Sequence, residues 1–110
     1  MKIIQKSKAK NIEDVCGVIR ELYQSESLGI SIATISGKSI PHKHKKMEEI
    51  YYVTKGNGSI TIGQETTKIK AGDLIPIPKN KYHFIETKPK VAIELLVATN
   101  QKFDPTDVIK

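Results

Sequence analysis

Apolar and polar residues alternate with a period of two along much of the chain. Ser59-Ile-Thr-Ile is the cleanest stretch, and Thr66-Thr-Lys-Ile-Lys follows it across the turn residues Gly63-Gln-Glu. In a strand, successive side chains face opposite ways, so this pattern predicts a β-hairpin. Ile30-Ser-Ile-Ala-Thr-Ile and Glu49-Ile-Tyr-Tyr-Val-Thr read as further strands, the second closed by Lys55-Gly-Asn-Gly. Gly17-Val-Ile-Arg-Glu-Leu-Tyr tolerates a helix over Arg-Glu-Leu, but its leading Gly and β-branched pair favour a strand. Leu74-Ile-Pro-Ile-Pro is extended, and its prolines confine it to an edge or corner. Tyr82-His-Phe-Ile-Glu-Thr and Val91-Ala-Ile-Glu-Leu-Leu-Val-Ala complete the series, the last apolar enough to be buried on both faces over part of its length.

The ends are less regular. Residues 1–10 form a polar lead-in, with Ile3-Ile4 as a candidate strand pair. Asn11 followed by Ile-Glu-Asp predicts a capped helical turn. After Thr99 the tail reads as irregular, with a turn at Asp104-Pro105. Short strands at close spacing, separated by turn signals, predict an all-β sandwich or barrel occupying residues 1–110 as a single domain.

Composition narrows the function. One cysteine, Cys16, excludes an internal disulfide and a cysteine-based metal cluster, and it reads as a small buried or half-buried residue with a reactive thiol as the alternative. No apolar run is long enough to span a bilayer and the N-terminus lacks a signal-peptide pattern, so a soluble, cytoplasmic protein without a membrane partner is expected. The net charge of +6 raises the question of nucleic acid. The basic residues are scattered and all lysine except Arg20, and aromatics are few, so neither bidentate base recognition nor a stacking platform is well supplied. Nucleic acid is therefore not the expected partner; a lysine-rich solvated surface is, compatible with small anionic ligands.

The chemistry concentrates in Gly37–Gly56, GKSIPHKHKKMEEIYYVTKG. On a strand, His42 and His44 project together while Lys43 points away, and paired imidazoles suit a transition metal. Glu49 follows His44 by five residues, which on an unbroken strand is the wrong face. A turn or bulge at Lys45-Lys46-Met47 must reset the register; from Glu49 the same face continues with Tyr51 and Val53. The third histidine, His83, lies on a separate strand with Ile85 and Thr87 as its same-face neighbours.

These residues resemble the two motifs of small single-domain cupins. The first, at 37–56, supplies a Gly, the pair His42/His44, Glu49, and Gly56 six residues later; that interval favours Glu49 over Glu48, which is expected to face outward. The opening Gly37 stands one residue nearer the His pair than is common. The second, at 72–87, runs Gly72, Pro78, Asn80 where the family has Gly, His83, and Thr87 where the family has Asn. Asn80 is a mild departure, since Asn accepts the left-handed conformation. The resemblance implies a cupin-type double-stranded β-helix, a jelly-roll barrel. It implies that His42, His44, Glu49 and His83 hold one divalent transition metal, of which Fe, Mn, Zn, Ni and Co all tolerate such ligands. It also implies a homodimer, with Ile3-Ile4 as a candidate for exchange between subunits.

Cupins include dioxygenases, decarboxylases, isomerases and epimerases as well as non-catalytic sugar or metabolite binders. The resemblance thus points to a metal-dependent enzyme acting on a small polar or anionic substrate, with a binding or sensing module as the alternative, and it leaves turnover open. Tyr51, on the inward face, and Arg20, the only arginine, are the candidates for catalytic or ligand-orienting roles beyond the metal; core packing and a structural ion pair compete with these roles. Glu94, in the last strand, faces either the cavity or the surface, and nothing orients Lys46.

Overall fold

The computed structural model describes residues 1–110 and contains nine strands and no α-helix. They are β1 (Asn11–Asp14), β2 (Gly17–Gln24), β3 (Gly29–Ser36), β4 (Glu49–Lys55), β5 (Asn57–Ile62), β6 (Glu65–Lys70), β7 (Leu74–Ile77), β8 (His83–Glu86) and β9 (Ala92–Thr99). Every pairing is antiparallel. One sheet has the order β1-β2-β3-β9-β4-β7 and the other β6-β5-β8, so the chain crosses between sheets in jelly-roll fashion.

The period-two pattern decides which side chains enter the space between the sheets. Along β4, Glu49, Tyr51 and Val53 are buried while Ile50 and Tyr52 face out. Along β9, Ile93, Leu95 and Val97 point in, opposite Ile35, Ala33 and Ser31 of β3. Ile60, Ile69 and Ile85 come from the smaller sheet and meet them in one shared core. Each such aliphatic side chain contributes roughly 1.5–3 kcal/mol on burial, and this shared core holds the two sheets face to face. The outer side of β9 is only half buried at Leu96 and Ala98, short of the two-sided burial its sequence suggested.

Four expectations change. Asn11–Asp14 is a strand rather than a capped turn, because it pairs with β2 across the tight turn Val15-Cys16, from Asn11 opposite Arg20 to Asp14 opposite Gly17. Ladder bonds along the whole segment outweigh one local cap. Ile3 and Ile4 pair with no strand and stand 77% and 41% exposed. The β-structure is not a closed barrel: the two sheets face each other as a sandwich with no continuous ladder between them, and the connection from β3 to β4 meets β8 at the isolated bridges Lys38–Glu86 and His42–His83. Finally, His42–His44 is not a regular strand but is held by single bridges on both sides, His42 to His83 and Lys43 to Ile109. The alternation survives, with His42 and His44 inward and Lys43 between them.

Two motif positions have plain backbone reasons. Asn80 has φ 62°, the left-handed conformation expected of it, and its amide donates to the His44 carbonyl at 2.7 Å. Gly56 has φ 83°, and a Cβ there would stand 2.5 Å from the Ala92 carbonyl oxygen. Gly56→Ala is therefore expected to destabilise the protein by roughly 1–3 kcal/mol, read as a lower denaturation midpoint with an unchanged slope.

Candidate metal centre

His42 and His44 enter the sandwich from the connection between β3 and β4, Glu49 opens β4, and His83 opens β8. All four are buried, with side chains 1–4% exposed. A bend at Lys45-Lys46 resets the register: both lysines are exposed, and Met47 and Glu49 then point inward with Glu48 outward. One donor atom from each of the four lies within 4.8 Å of all the others. The sequence motif thus becomes a cluster, across two sheets.

The hydrogen bonds on the far sides of the rings decide what the cluster can hold. Nδ1 of His42 lies 2.8 Å from the Ile40 carbonyl, that of His44 2.9 Å from Asp107 O, and that of His83 3.0 Å from Lys81 O. A carbonyl only accepts, so each Nδ1 carries the proton and each Nε2 presents a lone pair to the interior. Nε2 of His44 and of His83 then stand 3.2 and 3.4 Å from the same Glu49 oxygen, Oε1. None of these three buried atoms has a hydrogen-bond partner. Lone pairs facing a carboxylate oxygen repel unless a proton or a cation lies between them. Ligands about 2.1 Å from a shared metal ion sit roughly 3–3.4 Å from one another, and that is the spacing found. The residues present therefore fit a divalent metal, and this set could hold one.

Protonation tells the same story. Burial alone would lower the His44 pKa, but contact with the Glu49 carboxylate outweighs it and raises it above the ordinary imidazole value. Burial would raise Glu49, yet His44 and His83 hold it down to about 2. His42, which does not touch Glu49 this closely, is lowered by burial to about 4 and stays neutral.

Asp107 is the residue that sequence reasoning missed. It is 4% exposed, at the end of the short 3-10 turn Pro105–Asp107 in the tail. Its carboxylate accepts from the backbone amides of Lys45 at 2.9 Å, Lys46 at 3.1 Å and Met47 at 2.9 Å. Burial would raise its pKa, but those three amides bring it below the ordinary value. Asp107 thus clamps the bend between His44 and Glu49 while its own carbonyl orients the His44 ring. In the sequence only the neighbouring turn signal Asp104-Pro105, with Asp104 capping the 3-10 turn, marks its place.

The other candidates divide. Tyr51 is buried in the core, its ring 6.0 Å from that of His83 and its hydroxyl 3.9 Å from the Cys16 sulfur, behind the cluster rather than in open space. Arg20 lies on the outer face, donating to Asn11 Oδ1 at 2.7 Å and the Lys6 carbonyl at 3.2 Å. Glu94 also faces out, paired with Lys6 at 2.9 Å. Cys16 is half buried with its sulfur 3.6 Å from His42 Nε2, and burial pushes its thiol well above the usual range. Thr87, the departure from the motif, accepts from the Gly37 amide at 2.8 Å and donates to the Val91 carbonyl at 2.6 Å, tying the two motifs together. A cavity of about 90 Å³ adjoins the cluster, lined by His42, His44 and Glu49 with Asp14 and Cys16 beside them. Burial, then the nearby carboxylates, raise the pKa of Asp14.

The Cupin domain profile matches residues 32–99, which takes in both motifs but not the tail. The chain belongs to the cupin family. An uncharacterised protein of Methanocaldococcus jannaschii is 33% identical to this cupin over 97 residues, covering 82% of this chain and 78% of its own. Among solved structures, a protein from Planctomyces limnophilus superposes with a TM-score of 0.88 at 19% identity, covering all of this chain and 96% of its own. The nucleoside dehydratase Pac13 of Streptomyces superposes with a TM-score of 0.82 at 16% identity, covering 98% of this cupin and 88% of its own chain. These structural likenesses speak to the fold alone.

Two outcomes are expected. Asp107→Asn replaces an acceptor with an amide group that meets three donors; metal affinity should fall roughly 10–100-fold in direct titration, with the far-UV dichroism retained. Because contact with Glu49 raises the His44 pKa above the ordinary imidazole value, a metal competes with a proton for its Nε2. Affinity should therefore rise with pH and level off above the His44 pKa, while His42, neutral down to about pH 4, adds no proton competition above that. Titrations in buffers of differing ionisation enthalpy would read the protons released.

Proposed function

We propose that this cupin holds one divalent transition metal on Nε2 of His42, His44 and His83 and on the Glu49 carboxylate, and acts as a metal-dependent enzyme on a small polar molecule. The observation that supports it is the set of three imidazoles whose Nδ1 protons are fixed by backbone carbonyls, with the unpartnered Nε2 atoms of His44 and His83 beside Glu49 Oε1 and that of His42 in the same cluster. The metal, when bound, supplies Lewis acidity toward an oxygen of the ligand. Fe, Mn, Zn, Ni and Co all suit the donor set.

The chain's own residues do the rest. Glu49 and the three rings are fixed by β4, β8 and the clamped bend, so little reorganisation accompanies binding. Val15, Ile19, Met47, Val97 and Phe103, with Ile12 at the edge, supply the apolar part of the wall and limit water. Asp14, its pKa raised by burial, stands in the cavity with Oδ1 held by the Cys16 amide at 2.7 Å. It is the group we assign to proton transfer, since a carboxyl shifted toward neutrality can both give and take a proton. A dehydration of the kind that names Pac13 needs such a pair, an acid–base group and an electrophile.

A second reading, a metal-and-ligand-binding module without turnover, draws on one observation. The Cys16 thiol in the cavity is held protonated by burial. In either reading the outer face of the large sheet, with Ile50, Tyr52 and Leu74 exposed by 39, 40 and 56%, suits a homodimer. No helix is long and apolar enough to cross a membrane.

Elemental analysis of untagged protein should find about one equivalent of transition metal, and Glu49→Ala should retain less than roughly a tenth of that. A wild-type protein that stays metal-free after reloading would overturn the assignment. Product formation by the metal-loaded wild type, lost in Asp14→Asn at unchanged metal content, separates the two readings.

A further inference from the structure

The chain carries a net charge of +6, yet the cavity beside the cluster is lined by no lysine and no arginine. The cations with resolved partners lie elsewhere: Lys6 on Glu94, Lys102 on Glu26, Lys38 over the Phe84 ring, Lys43 over the Tyr82 ring. The carboxylates do the opposite. The hairpin of β1 and β2 turns Asp14 and Glu21 to the cavity, with Glu21 opposite Ser31 of β3, which lines the same space. Asp14 Oδ1 is taken by the Cys16 amide, and Oδ2 has no partner within the chain. Glu21 is exposed at the mouth and makes neither an ion pair nor a side-chain hydrogen bond; Lys8 shares a surface groove with it outside the cavity without pairing.

The charge balance follows from the metal reading, on which this step rests. A divalent ion with Glu49 leaves one positive charge at the centre. Asp14 and Glu21, both exposed at the cavity entrance, reverse it there, on the path to the centre. An anion reaching the metal must pass two carboxylates; a molecule rich in hydroxyl or ammonium hydrogens finds free acceptors on both.

We propose that this cavity takes a small uncharged or cationic hydroxylated molecule, a polyol or amino alcohol, and discriminates against carboxylates and phosphates, with Asp14 and Glu21 as the specificity residues. The cavity volume, about 90 Å³, sets the scale at a few heavy atoms for the part that enters. The lysine-rich exterior has no part in recognition of the substrate.

Three probes of matched size test this: glycerol, serinol and glycerate. They are titrated into zinc-loaded and metal-free protein and followed by the amide signals of Cys16 and Glu21, which report in either state. Glycerol and serinol should each bind at least about ten-fold more tightly than glycerate, in the metal-free protein as well. Asp14→Asn with Glu21→Gln should remove that gap, and Glu21→Gln alone, at an exposed position, should narrow it without touching the fold. Glycerate binding tightest to the wild type, an order indifferent to both variants, or no response to any probe would each overturn the proposal. Failure to take up zinc with the probe order intact would instead strike the metal assignment alone.

Discussion

A carboxylate oxygen and two imidazole lone pairs, closed off from water and held at 3.2 and 3.4 Å, form the constraint around which this protein is arranged. Left alone, these groups oppose burial: each is polar, none has a partner, and the lone pairs repel. The fold keeps them together by anchoring the back of every ring to a main-chain carbonyl and by rooting Glu49 in β4, between β7 and β9. The raised His44 pKa and the depressed Glu49 pKa are the same tension expressed as protons. A positive charge, whether proton or metal, is what the geometry lacks.

The surrounding structure is a set of devices for placing four side chains. β4 and β9 stack Tyr51, Val53, Leu95 and Val97 beneath the cluster. The tail supplies Asp107, whose carboxylate gathers three amides of the bend that turns Glu49 onto the face of His44. Thr87 bonds Gly37, and Asn80 bonds the carbonyl of His44, so each motif is fastened to the other by hydrogen bonds that involve no ligand. The arrangement is cooperative in the sense that loosening any one strap disturbs a ring orientation.

Most of the architecture was legible in the sequence because strands declare themselves by alternation. The clustering of His42, His44, Glu49 and His83 was legible from residue types at fixed spacing, and the odd interval between His44 and Glu49 even required the bend that the structure contains. What escaped was what depends on distant partners. Asn11 looked like a cap because capping is local, while the pairing of β1 with β2 is decided by the whole hairpin. With β1 misread, Asp14 and Glu21 could not be placed on one wall. Asp107 lies 60–63 residues from the groups it holds, so no neighbouring residue signals its role. Closure of the sandwich into a barrel was an inference from family likeness, and hydrogen bonding between the sheets stops short of it.

The bridge from Lys43 to Ile109, beside the Asp107 clamp, has a consequence for the order of events during folding. The His44 ring acquires its fixed tautomer only when a segment more than sixty positions downstream has threaded back to meet it. Such remote contacts form late, after the costly closure of a long loop. The cluster is thus completed by the tail, and the far end of the chain is as much a part of its geometry as the histidine pair itself.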